Sequence, residues 1–291
     1  MTDLNLQSVA RIDSISRDDF QNTFVKSNTP VVMRSFSENW AAKDKWTYDY
    51  FKQHCGDVEV PLYSEAMATS DDNYLTAQDK MRFGDYLDLI QQGPSKKRMF
   101  LFNIFEHMPQ LCDDFSYPDL SKRFLNKYPF MFFGGETSYV DVHYDLDLSH
   151  VFLTQFTGKK KIILFAPEYS QHLYQHPLTV SCNVDFRDPD FERYPLLNHV
   201  KGYECTLEHG DTLFIPTGYW HYVYYETSGF SLSLRSRPER LSRRLYSWLK
   251  IFNLTVADRT IAKILGAQKW YDKKEVMAQK TAIKILLRES R

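Results

Sequence analysis

Glycine is scarce, with 11 residues in a chain of 291. So little glycine excludes long flexible low-complexity linkers. Cysteine is scarcer still: Cys55, Cys112, Cys182 and Cys205 are scattered, and no CxxC pair occurs. That excludes a disulfide framework and a zinc ribbon. No apolar run approaches the roughly 20 residues that span a bilayer, so no membrane partner is expected. The stretch MTDLNLQSVARID has no apolar h-region. No secretory signal is therefore expected, and a reducing, cytoplasmic address is the default. No internal repeat is visible.

What the chain does have is aromatic mass: 21 Phe, 19 Tyr and 5 Trp, enough for a sizeable core. Apolar residues at 43% and charged residues at 25% are ordinary for globular proteins. A disordered chain, a collagen-like repeat and a bare coiled coil are excluded. The length allows two domains, or one large β domain with an appendage. Net charge is −1, unevenly spread. Residues 237–291 carry 14 Lys and Arg against 5 Asp and Glu, and the remainder is correspondingly acidic. This asymmetry suits either a module with its own partner or a solvated amphipathic helical face.

Residues 1–125 mix helix and strand signals. Ser16 to Phe20 resembles a capped helix start, 29–34 (TPVVMR) a strand, and 46–51 and 83–90 helices. Val58 to Tyr63 alternates with the period of a half-buried strand. Over 126–238 short β-rich runs dominate, at 130–133, 150–156, 161–165, 212–215, 222–225 and 230–234. Turn signals separate them, which suggests a sandwich or barrel. Residues 239–291 turn helical. Leu241, Leu245, Trp248, Leu249 and Phe252 form an amphipathic stripe. Ile261, Ile264 and Leu265 mark a second helix; Val276, Ala282, Ile283, Leu286 and Leu287 mark a third.

Among nine histidines, His143 stands out, in 137–145 (TSYVDVHYD). On a strand, residues i and i+2 share a face, so His143 and Asp145 can offer an imidazole and a carboxylate to one metal. His221, after a tight turn and opening a strand, is the best third ligand. Two imidazoles and a carboxylate on one face of an octahedron leave sites open, the pattern of non-haem Fe(II) oxygenases. HxD alone is weak: His209-Gly210-Asp211 matches too, and there Gly210 and Asp211 suit a turn.

Several stretches together resemble the JmjC/cupin-like family of Fe(II)- and 2-oxoglutarate-dependent oxygenases. They are His143-Tyr144-Asp145, 155–167 (QFTGKKKIILFAP) and 210–221 (GDTLFIPTGYWH), with the entry segment 29–34 and Trp46. Residues 185–195 (DFRDPDFERYP) and 202–204 (GYE) resemble the factor-inhibiting asparaginyl hydroxylase of the hypoxia pathway. The resemblance covers roughly residues 12–240. It implies a double-stranded β-helix of jelly-roll (cupin, JmjC) type over 126–238, with N-terminal α/β elements before it and a helical segment after it. It also implies His143, Asp145 and His221 as Fe(II) ligands, Lys160 as the lysine holding the far carboxylate of 2-oxoglutarate, and O2 as oxidant. A dicarboxylate does need a cation opposite its far end. Lys159 and Lys161 should point the other way, into solvent.

The sequence departs from that family pattern in places. The interval from His143 to Lys160 is about two residues longer than in many relatives, which suggests a bulge or longer loop near 147–150. Val140 and 148–151 (LSHV) stand where the family often has Thr and Asn, and Arg235 where Asn is frequent. Alternation puts Ser231, Ser233 and Arg235 on one face, which could line the pocket. Arg235 could share the carboxylate with Lys160, bind an acidic substrate group, or be a rim arginine. His150 reads as a neighbour of the site or a loop residue; Tyr144 and Tyr222 read as core.

The resemblance implies an oxygenase, with a protein or peptide side chain as the expected substrate. An RNA base, suited to the basic tail, is the second reading, and a non-catalytic metal-binding cupin module the third. Family members often dimerise through C-terminal helices, and the stripe at Leu241, Leu245, Trp248 and Phe252 suits a homodimer.

Overall fold

A computed structural model describes residues 3–63, 77–100, 102–126, 129–238, 246, 248, 249 and 251–289. Its strands, in chain order, are β1 (Asn5–Ser8), β2 (Ala10–Ile12), β3 (Val31–Met33), β4 (Glu59–Tyr63), β5 (Asp79–Arg82), β6 (Arg98–Met99), β7 (Phe130–Gly134), β8 (Tyr139–His143), β9 (His150–Thr157), β10 (Lys160–Phe165), β11 (Lys201–Leu207), β12 (Thr212–Ile215), β13 (Trp220–Tyr225) and β14 (Gly229–Ser236). They form two sheets, β1-β11-β10-β13-β8 and β2-β3-β12-β9-β14-β7-β6-β4-β5. Strands adjacent in space are distant in sequence, as a double-stranded β-helix requires, and the expected fold class holds.

Period-2 alternation sorts the side chains into three layers. Between the sheets lie Val151, Leu153, Ile162, Leu164, Leu213, Val223 and Tyr225. The outer face of the larger sheet buries Phe133, Phe152, Phe214 and Phe230 under the N-terminal helices, which contribute Phe20, Phe51 and Phe83. Phe133 and Phe230 stack at 4.9 Å, and Phe51 meets Phe133 edge-on at 5.4 Å. The outer face of the smaller sheet packs Tyr144, Phe165, Trp220 and Tyr222 against the 173–200 segment and against Ala278 and Ala282 of the helix Ala267–Glu289.

The N-terminal helices start where the sequence places them. Ser16 caps Arg17–Phe20 through Asp19 N–H, and Thr47 caps Tyr48–Cys55 through Tyr50 N–H. Strands β1, β2, β5 and β6 carry no clear alternation and are decided by pairing, whereas β11 alternates, with Tyr203, Cys205 and Leu207 inward. The last helix is where the apolar positions mark it, and of those positions Ala282 and Leu286 pack inward. Its buried row is Trp270, Lys274, Ala278 and Ala282, at i, i+4 spacing, while Val276, Ile283 and Leu287 face outward. Small alanines let the helix approach the sheet closely, which larger apolar residues would prevent. Leu241 and Leu245 lie outside the described residues; Trp248, Leu249 and Phe252 are exposed. Among the described residues no helix is long and apolar enough to cross a membrane.

Candidate metal centre

His143 ends β8 and His221 stands near the start of β13, and the two are direct partners in the antiparallel register. Their rings are 4.2 Å apart. A register shift between His221 and Val223 re-aims the strand at this point. Asp145 lies beyond the strand end, so strand alternation alone does not place it. A turn closed by Leu148 N–H on the Asp145 carbonyl (3.0 Å) folds it back. One donor atom from each of His143, Asp145 and His221 then lies within 4.8 Å of the others.

Both imidazoles are in the state a metal needs. Nδ1 of His143 faces the Asp141 carbonyl at 2.8 Å, and Nδ1 of His221 faces the Tyr219 carbonyl at 3.1 Å. A carbonyl only accepts, so each Nδ1 carries the hydrogen and Nε2 keeps its lone pair. Burial, reinforced by the neighbouring His221, pushes His143 down to about 3; burial lowers His221 as well. Burial alone would raise the Asp145 carboxyl. The Arg235 guanidinium, through its charge and its hydrogen bond, leads the groups that outweigh it and hold it at about 2. Two neutral imidazoles and one carboxylate fit a divalent first-row cation.

Lys160 opens β10 and pairs with Tyr225, four positions along β13 from His221. It is 1% exposed and donates to Ser231 Oγ at 2.6 Å, with its ammonium 4.3 Å from the Tyr225 ring centroid. Burial lowers its pKa to about 7. Ser233, on the same face of β14, keeps a buried hydroxyl that has no partner among the described residues. A buried cation with only neutral neighbours, next to an orphaned hydroxyl, fits a carboxylate ligand. Lys159 and Lys161 point outward and pair with Glu208 and Glu204.

Arg235 departs from the three places expected of it. It is neither on the rim nor facing Lys160: it pairs with Asp145 at 2.9 Å and Asp147 at 3.0 Å. Asp147 also accepts from the Ser149 hydroxyl and N–H, which ties down the long loop after the HxD motif. Leu148 there adopts a φ of 51°. His150 is buried on the outer face against Phe214, and its Nδ1 accepts from Thr217 N–H. The second HxD is a turn, as expected: Gly210 has a φ of 84° and Asp211 binds Arg11. Two residues escaped the sequence reading. Asp147 lay in a loop, and Arg98 in a two-residue strand, where it ends the basic run Lys96-Lys97-Arg98 and reads as solvated charge.

A double-stranded β-helix with two imidazoles and a carboxylate gathered at one end defines a metal-binding cupin barrel. Residues 17–246 match the cupin-like domain family. The chain belongs to that family, within the JmjC/cupin-like Fe(II)- and 2-oxoglutarate-dependent oxygenases. It is 29% identical over 240 residues to Jumonji C domain-containing protein 5 of Drosophila melanogaster, covering 77% of this chain and 59% of that protein. It is 27% identical over 247 residues to tRNA wybutosine-synthesizing protein 5 of Homo sapiens, covering 78% and 76% respectively. Lysine-specific demethylase 8 of Danio rerio is 27% identical over 243 residues, covering 78% and 58%.

Proposed function

We propose that the protein is an Fe(II)- and 2-oxoglutarate-dependent oxygenase that hydroxylates a protein side chain. The observation that carries this reading is one barrel interior holding both a His143/Asp145/His221 donor set and a buried, carboxylate-free Lys160. His143, Asp145 and His221 would hold the iron, and Lys160 with Ser231 the far carboxylate of the cosubstrate. Bound there, iron and the 2-oxo acid supply O2-driven oxidation of a substrate C–H bond, with decarboxylation to succinate and CO2. The chain's own residues keep the imidazoles neutral, hold Asp145 ionised through Arg235, and wall the site off from water with Val151, Leu153 and Val223.

The likeness of 185–195 to the asparaginyl hydroxylase supports a protein substrate. The wider coverage of the tRNA wybutosine-synthesizing protein, together with the basic C-terminal segment, supports an RNA base as the second reading. Exposed Trp248, Leu249 and Phe252 support a homodimer through the C-terminal segment. Apo-protein titrated anaerobically with Fe(II) and then 2-oxoglutarate tests the core of the reading. A visible charge-transfer band is expected, lost in Asp145→Ala and weakened in Lys160→Met. Iron bound without a band would move the assignment to a binding module. Succinate release on incubation with peptide or with RNA then separates the two substrates.

A further inference from the structure

Arg98 is the second buried cation of this barrel. It is 5% exposed and stands opposite Gly134 in the β6–β7 register. Its neighbours Met99 and Phe133 belong to the outer aromatic core, so alternation turns Arg98 to the barrel side. Phe100 follows that face and stacks on the interior Phe132 at 6.4 Å.

Glycine at 134 makes room there. A Cβ would come within 2.6 Å of the Tyr225 ring. That ring is the one the Lys160 ammonium covers at 4.3 Å. Arg98, Tyr225 and Lys160 thus share one stretch of wall, and the field of Arg98 reaches both Tyr225 and His143.

Arg98 has no contacting counter-anion among the described residues. Its Nε has no hydrogen-bond partner, and it forms no ion pair among the described residues. Its guanidinium stands 5.7 Å from the Phe100 ring centroid. Asp141 acts on it only through its field, and Asp145 and Asp147 are both engaged by Arg235. Two desolvated cations without a contacting counter-anion are a costly pair, and the far carboxylate of a dianionic ligand can answer both. A monoanion that spends its carboxylate on the metal relieves neither.

We propose that Arg98 is a specificity residue of the cosubstrate pocket: with Lys160 it holds the dicarboxylate and selects it over 2-oxo acids that lack a second carboxylate. This rests on the oxygenase reading above.

The test uses the full chain with Fe(II), anaerobically, and two probes: 2-oxoglutarate and 2-oxopentanoate, which has the same carbon chain without the far carboxylate. Binding is read by calorimetry and by the charge-transfer band. In Arg98→Gln, 2-oxoglutarate should bind at least about tenfold more weakly while 2-oxopentanoate is unchanged, with Arg98→Lys between. Fe(II) alone should bind the variant as it binds the wild type, which reports an intact fold. Unchanged 2-oxoglutarate affinity in Arg98→Gln would overturn the proposal and leave the oxygenase reading standing. Equal loss of both probes would assign Arg98 a structural role instead. A wild-type protein that binds iron but no 2-oxo acid would remove the reading and this inference together.

Discussion

Arg235 Nη2 donates to Asp145 Oδ1 at 2.9 Å, joining the last strand of the barrel to the carboxylate that follows β8. The contact acts on the metal through Asp145, because it fixes the carboxylate's orientation and keeps it ionised. Removing such a supporting partner typically costs about 10–100-fold in metal affinity. Arg235→Met should weaken Mn(II) or Fe(II) binding by that order, measured by calorimetry. Arg235→Lys should recover only part, since one ammonium cannot reach both Asp145 and Asp147 in fork geometry.

Asp145→Ala should abolish tight metal binding. The wild-type protein gains thermal stability from saturating Mn(II), about 2.7 kcal/mol at a hundredfold excess over Kd. The variant should gain none in a melting experiment. A stabilisation that survives Asp145→Ala would place the metal elsewhere.

Burial holds Lys160 at about 7 instead of its ordinary 10.5. Between those values the unfolded chain binds a proton that the folded, ligand-free chain lacks. Stability of the ligand-free protein should therefore rise with pH across that window. Holding a carboxylate needs the charged ammonium, so 2-oxoglutarate affinity should fall as pH climbs above about 7. Lys160→Met should remove both dependences, read by denaturant melts and calorimetry from pH 6 to 9.

Glu275 anchors the last helix. It accepts from His176 at 3.0 Å, Asn183 at 2.8 Å and Arg193 at 3.2 Å. The His176 contact leads the causes that hold its carboxyl at about 2, below the ordinary 4.5. A depressed carboxyl stabilises the fold above 4.5 and loses that contribution as pH falls towards 2. Amide hydrogen exchange over 267–289 should accelerate in that window. Glu275→Ala should accelerate it at neutral pH, with a stability loss of about 1–3 kcal/mol from the unpaired donors.

Light scattering should give twice the 34.4 kDa chain mass if the exposed C-terminal face pairs two copies. Trp248→Glu with Phe252→Glu should then give a monomer. A monomeric wild type would end the dimer reading.

Much of the site is local in sequence, and there it was legible. Strand period and turn residues mark β7 to β10 and β12 to β14, and the HxD motif with 210–221 points to three donors. Strands β1, β2, β5 and β6 were not legible, because they have few residues or mixed burial and are held by pairing, and β11 was missed although Tyr203, Cys205 and Leu207 alternate inward. Of the positions that mark the last helix, Ala282 and Leu286 pack inward while Val276, Ile283 and Leu287 stay exposed, since packing distance to the sheet outweighed side-chain hydropathy.

By itself the sequence determined the donor residue types, the alternation that puts Lys160 inward with Lys159 and Lys161 outward, and the caps of the first helices. These depend on neighbours a few positions away. Only the tertiary structure decided which groups answer one another: His143 opposite His221, Arg235 on Asp145 and Asp147, and Arg98 beside Tyr225. Those pairings follow from strand register and barrel closure between segments far apart in the chain, and their strength follows from desolvation, which no local stretch of sequence contains.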